Sequence, residues 1–247
     1  MKIIITGANG KMGKEVANLL VNEYKGNSLA AAIDVYYAAV GKYPIYEHIA
    51  DYEGTADCII DFSTHLATKE ILTHAQEKKL PIVIATTGHT DEEVAMIKEA
   101  SRNIPIFFSA NMSVGIALLI DLAKTAAKMM PDADIEIIEK HHNRKLDAPS
   151  GTALLIADNI KKVRQDSTYV YGRHGQQKRT PEEIGIHAVR MGSVIGDHEV
   201  IISTDSQTIS LQHQAHHRAL FAEGAITAAM FLAEQENGLY TMKDLVG

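Results

Sequence analysis

The chain has no tryptophan, one cysteine and no long apolar run in its 247 residues. A lone cysteine, Cys58, excludes a disulfide within one chain. Its place in the apolar stretch 56–60 marks it as a small buried hydrophobe. No segment approaches the ~20 apolar residues of a membrane span. The first apolar run, Ile3-Ile4-Ile5, is too short for a secretion signal. These absences point to a reducing cytoplasm and to no membrane partner. Positive charge is also scarce: 24 Lys and Arg against 31 Asp and Glu give a net charge of −7. That balance excludes nucleic acid as a partner of the whole chain, so any anion site must be built from local cations. No H-E-x-x-H pattern is present and the cysteine is remote, so no metal site is expected, even with His198, His213, His216 and His217 close in sequence. The missing tryptophan and the nine methionines carry no functional reading. What remains, 46% hydrophobic and 22% charged residues, is ordinary for a soluble protein of one large or two modest domains.

The first hundred residues alternate short β-branched runs with helical patterns. Residues 2–6, 29–33, 57–62, 81–85 and 104–108 read as strands, and 14–24, 65–79 and 91–102 as helices. Residues 35–55 read as loop with room for a short strand. Alternation of this kind predicts a parallel sheet with right-handed crossovers. The pattern changes near residue 110. A long apolar helix over 114–129, a strand over 133–139 and a helix over 150–163 lead to a polar loop over 164–182. Strand-like runs follow over 184–190, 198–203 and 208–213. Consecutive strands without helices predict an open mixed or antiparallel sheet. A last helix over 217–234 is apolar on one face and suited to pack back on the first domain.

The strand over 2–6 runs straight into Gly7-Ala8-Asn9-Gly10-Lys11-Met12-Gly13 and then a helix. Glycines there allow a tight turn, close approach of a pyrophosphate and close packing of the helix. The spacing is weaker than G-x-G-x-x-G, but Asp34 ends the next strand about 20 residues on, where an adenosine ribose hydroxyl is gripped. The reading is dinucleotide binding. Asp34 is followed by Val35-Tyr36-Tyr37 with no arginine, which favours NADH over NADPH, with Lys11 and Lys42 as the cations that could offset it. Ala85-Thr86-Thr87-Gly88 and Ser109-Ala110-Asn111-Met112-Ser113 follow two further strands. They stand either as contacts to the nicotinamide end or as turn formers and helix caps.

The segment from Glu139 to Thr152 holds two imidazoles, several cations, two carboxylates and a Ser150-Gly151-Thr152 helix start. Adjacent residues on extended chain point to opposite sides, so His141 and His142 can serve different partners. Histidine titrates near neutral pH, Arg144 and Lys145 supply fixed charge, and the helix start offers N–H groups to a carboxylate. Together they suit an anionic substrate that must be given a proton. His216-His217-Arg218 either borders that site or begins the last helix. His48, His65, His74, His89 and His174 read as solvated.

Gly7 to Gly13, Asp61-Phe62-Ser63, Thr86-Thr87-Gly88, Ala110-Asn111-Met112-Ser113-Val114-Gly115 and His141-His142-x-x-Lys145-x-Asp147-Ala148-Pro149-Ser150-Gly151-Thr152 stand in order along the whole chain. In these motifs the chain resembles the bacterial 4-hydroxy-tetrahydrodipicolinate reductases. The resemblance implies an α/β protein. Its N-terminal Rossmann domain, a doubly wound parallel sheet, spans 1–110 and is completed by 217–247. An α+β substrate and tetramerisation domain with an open mixed sheet spans 111–216. The implied reaction passes a hydride from a reduced nicotinamide to a cyclic imine-type dicarboxylate with loss of water, in a homotetramer; the reading of Asp34-Val35 makes that cofactor NADH, with NADPH as the alternative. His141 matches the proton donor and Lys145 a second catalytic cation. His142, Ser150, Gly151 and Thr152 match substrate-binding positions. Gly7, Ala8, Asn9, Gly10, Lys11, Met12, Asp34, Ala85, Thr86, Thr87, Ser109, Ala110, Asn111 and Met112 match cofactor contacts. The departures, Val35, Thr64, His65 and Ala85, bear on NADPH use and not on fold or reaction. Two rival readings are another NAD(P)-dependent dehydrogenase of a small carboxylate and a silent dinucleotide-sensing protein.

Overall fold

The computed structural model describes residues 1–36 and 43–247; Tyr37 and Lys42, named above, lie outside them. The chain divides into two compact units, Met1–Ser113 with Arg218–Gly247, and Val114–His217.

Among the described residues the first unit is built on a seven-stranded sheet, ordered β12-β6-β5-β4-β1-β2-β3, with every described pairing parallel. The strands are β1 (Lys2–Thr6), β2 (Ser28–Ile33), β3 (Ile45–Tyr46), β4 (Cys58–Asp61), β5 (Ile82–Ile84), β6 (Pro105–Phe108) and β12 (Gly238–Tyr240). Ile3 and Ile5 face one core with α1 (Lys11–Val21) and α6 (Ala219–Leu232), whereas Ile4 faces another with α2 (Thr68–Lys78) and α3 (Asp91–Ala100). Both sheet faces are covered, which is why β1, β4 and β5 read as unbroken apolar runs rather than as alternation. The strand order reverses between β1 and β4, the place where doubly wound sheets take ligands.

The second unit carries a five-stranded mixed sheet ordered β11-β10-β7-β9-β8. Its strands are β7 (Asp134–His141), β8 (Thr168–Tyr171), β9 (Glu183–Arg190), β10 (Gly196–Thr204) and β11 (Gln207–Ala215). β7 runs parallel to β9, and β9 to β8, while β10 is antiparallel to β7 and β11. Helices α4 (Val114–Met129) and α5 (Gly151–Lys161) cover the face bearing Ile135, Ile137, Ile184, Ile186, Val200 and Ile202.

Several sequence expectations shift. Helix α1 begins at Lys11, so Gly13 lies within its first turn. The stretch 164–182 contains β8, and the last residues add β12 to the first sheet. Neither strand was legible, because three or four residues paired on one side carry no alternation. His74 is buried, not solvated, and burial pushes its pKa down. His65 is paired, its Nδ1 3.0 Å from the Glu93 carboxylate that closes the Thr90 capping box of α3.

Candidate functional site

The glycine loop is dictated by what surrounds it. Gly7 has φ +72°, and a β-carbon there would meet the Phe62 carbonyl oxygen at 2.5 Å. A β-carbon on Gly13 would run into the Gly7 carbonyl oxygen. The loop is therefore clamped between its own helix and the end of β4, where the buried Asp61 Oδ1 accepts from Thr6 Oγ1 at 2.5 Å and from the Ser63 N–H at 3.0 Å. Asp34 is drawn to the loop by the Asn9 N–H at 2.9 Å, while its other oxygen accepts the Tyr36 N–H at 2.9 Å. Gly7, Asn9, Gly10 and Asp34 line a cavity of about 340 Å³ with Phe62 and Ser63. The glycine backbone, with no room for side chains, and the carboxylate beside it fit a dinucleotide.

The other residues expected to contact the cofactor do not line that cavity. Ala8 is buried and Lys11 exposed, with Met12 half-buried at the start of α1. Ala85, Thr86 and Thr87 follow β5, and Ser109, Ala110, Asn111 and Met112 follow β6, on the same carboxyl edge of the sheet. Backbone bonds tie these strand ends together, Ala85 N–H to Asp61 at 2.9 Å and Ser109 N–H to Ile84 at 3.1 Å. Asn111 Oδ1 accepts the Ser113 N–H at 2.9 Å, so its side chain also serves as a turn former.

In the second unit β7 delivers His141 on its buried side, two residues after Glu139. Glu139 is wholly buried. Its Oε2 lies 2.6 Å from His141 Nδ1. Arg190, the register partner of His141 on β9, donates to both oxygens, from Nη1 at 2.8 Å and Nη2 at 2.7 Å. The Ser150 N–H donates to Oε1 at 3.0 Å. Burial pushes the Glu139 carboxyl up, but the bonds from His141, Arg190 and Ser150 outweigh it and hold it at about 2. Glu139 is thus ionised and can only accept, so His141 Nδ1 carries a proton and donates. His198, opposite Glu139 on β10, packs edge-on to His141 with ring centroids 5.2 Å apart. Burial and then the charge of His141 push His198 down to about 3, with Lys145 acting in the same direction. The His198 ring is neutral.

The loop after β7 turns through Lys145, whose N–H bonds the His142 carbonyl at 3.1 Å. Lys145 Nζ lies 2.8 Å from Asp147 Oδ1. Asp147 is held below the usual carboxylate range by Lys145 first and with help from the Gly151 backbone. Ser150 caps α5 by accepting the Ala153 N–H at 3.1 Å, and its Oγ lies 3.2 Å from His198 Nε2. The structure thus brings His141 and Ser150 against His198, with the Lys145 charge near enough to lower its pKa. His142 is half-buried next to His141, and Gly151 and Thr152 are the first residues of α5. Glu139, Arg190 and His198 had no assigned role in the sequence reading. The available signal was Glu139 at period two from His141: a carboxylate on the buried side of a strand needs partners. Among the described residues no group of three His, Cys, Asp or Glu is arranged to hold a metal ion. No described helix is long and apolar enough to cross a membrane.

Comparison with known proteins agrees with both units. Family models described as dihydrodipicolinate reductase, N-terminus and C-terminus, match residues 1–112 and 115–246. The chain belongs to the dihydrodipicolinate reductase family. The 4-hydroxy-tetrahydrodipicolinate reductase of Caldanaerobacter subterraneus subsp. tengcongensis is 48% identical to this chain over 248 residues, covering 100% of it and 98% of the relative. That of Clostridium novyi is 44% identical over 247 residues, covering 99% and 98%. The dipicolinate-bound dihydrodipicolinate reductase from Paenisporosarcina sp. TG-14 superposes with a TM-score of 0.81 at 26% identity, covering 98% of this chain and 97% of that one. Dihydrodipicolinate reductases are NAD(P)H-dependent oxidoreductases of diaminopimelate and lysine biosynthesis, and this chain is one of them.

Proposed function

We propose that the chain reduces 4-hydroxy-tetrahydrodipicolinate to tetrahydrodipicolinate, with His141 as proton donor and Lys145 as the assisting cation. The unit Met1–Ser113 with Arg218–Gly247 takes the dinucleotide, and Val114–His217 takes the substrate. The observation that carries this reading is a carboxylate seat. Lys145 and the Gly151 N–H already hold one carboxylate, that of Asp147, at the start of α5. A dianionic substrate needs such seats in a chain of net charge −7, and His142, Ser150 and Thr152 extend the polar lining.

When bound, the nicotinamide supplies the hydride. The substrate's hydroxyl leaves as water to give a conjugated imine; hydride addition to that imine leaves an electron pair on nitrogen or carbon, and this pair takes a proton. With Nδ1 committed to Glu139, the proton His141 can give is the one on Nε2. Lys145 neutralises charge that develops on the substrate. For the cofactor we favour NADH. Among the described residues, the acidic and basic side chains lining the 340 Å³ cavity are Asp34, Glu47, Glu70 and His48, with the Tyr36 phenol beside them, and three carboxylates repel a 2′-phosphate. For the assembly we favour a homotetramer. The sheet face bearing Glu136, Ile138, His187, Glu199 and Ile201 is opposite the one packed by α4 and α5. A solution mass near four times 27.0 kDa is the expected result.

Steady-state assays with freshly generated substrate test the reading. NADH should be oxidised only when that substrate is present, with a higher kcat/KM than NADPH. His141→Gln and Lys145→Ala should each cut kcat by roughly 10²–10⁴-fold, with NADH affinity nearly intact. Cofactor binding lost in step with turnover would mark the segment as structural and reject the assignment.

A further inference from the structure

The reaction described above uses the His141 proton but gives no task to the most deeply buried charge beside it. Glu139 has none of its surface exposed, yet it is ionised and accepts four hydrogen bonds. Its neighbours on the same strand face, Ile135 and Ile137, show that an apolar side chain would pack there without the cost of burying a charge. We propose that Glu139 is the positioning residue of the proton donor: it fixes the His141 ring with Nδ1 protonated and presents Nε2 to the substrate, while Arg190 locks the carboxylate. This rests on the reading of His141 as proton donor.

The geometry explains why a carboxylate is required. An ionised Glu139 cannot donate, so the nitrogen facing it must be N–H in both protonation states of the ring. When Nε2 gives up its proton, the electron pair of that N–H bond stays on Nε2. The ring becomes the neutral Nδ1–H tautomer, which Glu139 already holds, so no rotation or proton shift is needed. An amide would fail. Four donors converge on the two oxygens of Glu139, and a glutamine offers one oxygen and an NH2 group. With the amide oxygen kept by Ser150 and Arg190 Nη2, the NH2 would face His141 Nδ1 and make it an acceptor. The neutral ring would then carry its proton on Nε2, and donating it would leave an imidazolate.

The other groups facing His141 agree with this role. Arg190 on β9 shares the Glu139 charge and also donates to the Asp147 carbonyl at 2.6 Å, which ties the carboxylate to the Lys145 loop. His198 on β10 is neutral and adds no second proton source. Gly196, also on β10, leaves room beside the donor nitrogen: a β-carbon there would stand 3.1 Å from His141 Nε2. Ser150 at the start of α5 bonds both Glu139 and His198. Lys145, paired with Asp147, adds its charge through the neighbouring His198.

The test compares the full-length enzyme with Glu139→Gln, Glu139→Asp and His141→Gln. It reads kcat and KM against pH, and the His141 tautomer by ¹⁵N imidazole correlation spectra. Glu139→Gln should lower kcat roughly 10²-fold or more, with KM for NADH little changed. Its alkaline limb of kcat should move to lower pH by about one unit or more, and the neutral ring should switch from Nδ1–H to Nε2–H. Glu139→Asp should restore part of the rate and the original tautomer. A slower Glu139→Gln enzyme with the pH limb and tautomer unmoved would reduce Glu139 to a structural ion pair and overturn the proposal. So would a wild-type ring found as Nε2–H, which needs no variant to fold. Failure of the underlying reading looks different: His141→Gln would keep its turnover and its alkaline limb.

Discussion

The glycine loop after β1 and the charged cluster at the end of β7 both sit at strand ends, but they are made of different material. The loop is backbone. Its shape follows from residues that lack a β-carbon, and its neighbours Phe62 and Ser63 leave no space for one at Gly7. The cluster is side chain. Glu139, Arg190 and His198 come from three strands and lie up to 59 residues apart in sequence, and each is held by the charge or hydrogen bond of another. A backbone site tolerates changes of charge and fails on added volume. A side-chain site tolerates modest changes of volume and fails on lost charge.

Substitutions can break that contrast. The largest effect on stability is expected from Arg190→Leu, which leaves the Glu139 carboxylate buried without its fork and should cost about 3–5 kcal/mol in denaturant unfolding. The same carboxylate gives a pH signature. Its folded value of about 2 lies below the ordinary 4.5. Its contribution is therefore complete above about pH 4.5 and drains as pH falls towards 2, on the order of 3 kcal/mol in all. Wild-type stability should fall through that window, and the slope should flatten in Glu139→Gln. Next comes Gly13→Ala. Its methyl meets a backbone carbonyl that cannot move alone, so the helix must shift, at about 1–3 kcal/mol. NADH affinity by fluorescence titration should fall with it, while Gly13→Ala should leave His141 in its Nδ1–H form. The smallest effect is expected from Gly185→Ala. Its methyl would displace the Glu136 carboxylate from Arg179 and His187, partners at 3.2 and 2.8 Å, on a half-exposed face. About 1 kcal/mol or less is expected in a thermal melt. A larger loss would show that this face is buried in an assembly.

The same contrast explains what could be read in the sequence. The glycine loop, the β-branched run of β1 and the 114–129 helix are local patterns, and local patterns survive in one dimension. So does the His141 to Thr152 segment, whose residues lie close along the chain. Arg190 and His198 became visible only through register, since His141 pairs with Arg190 across β7 and β9 and Glu139 with His198 across β7 and β10. A shift of either strand by one residue would turn those side chains to the other face. Nothing local in residues 184–190 or 198–203 specifies that pairing. The burial of His74 was missed for a related reason. A histidine on a polar helix looks solvated until the residues packed over its face are known.

Strand β12 joins the outer edge of the first sheet beside β6, although more than a hundred residues separate them. Synthesis on the ribosome runs from the amino end, so all of Val114–His217 emerges before this strand exists. The inserted unit can close its own core while the first sheet still shows β6 as a bare, hydrogen-bond-hungry margin. A nascent chain stalled just after His217 would therefore be a ready target for chaperones or for stray strand pairing, and release of the last thirty residues would quench that hazard.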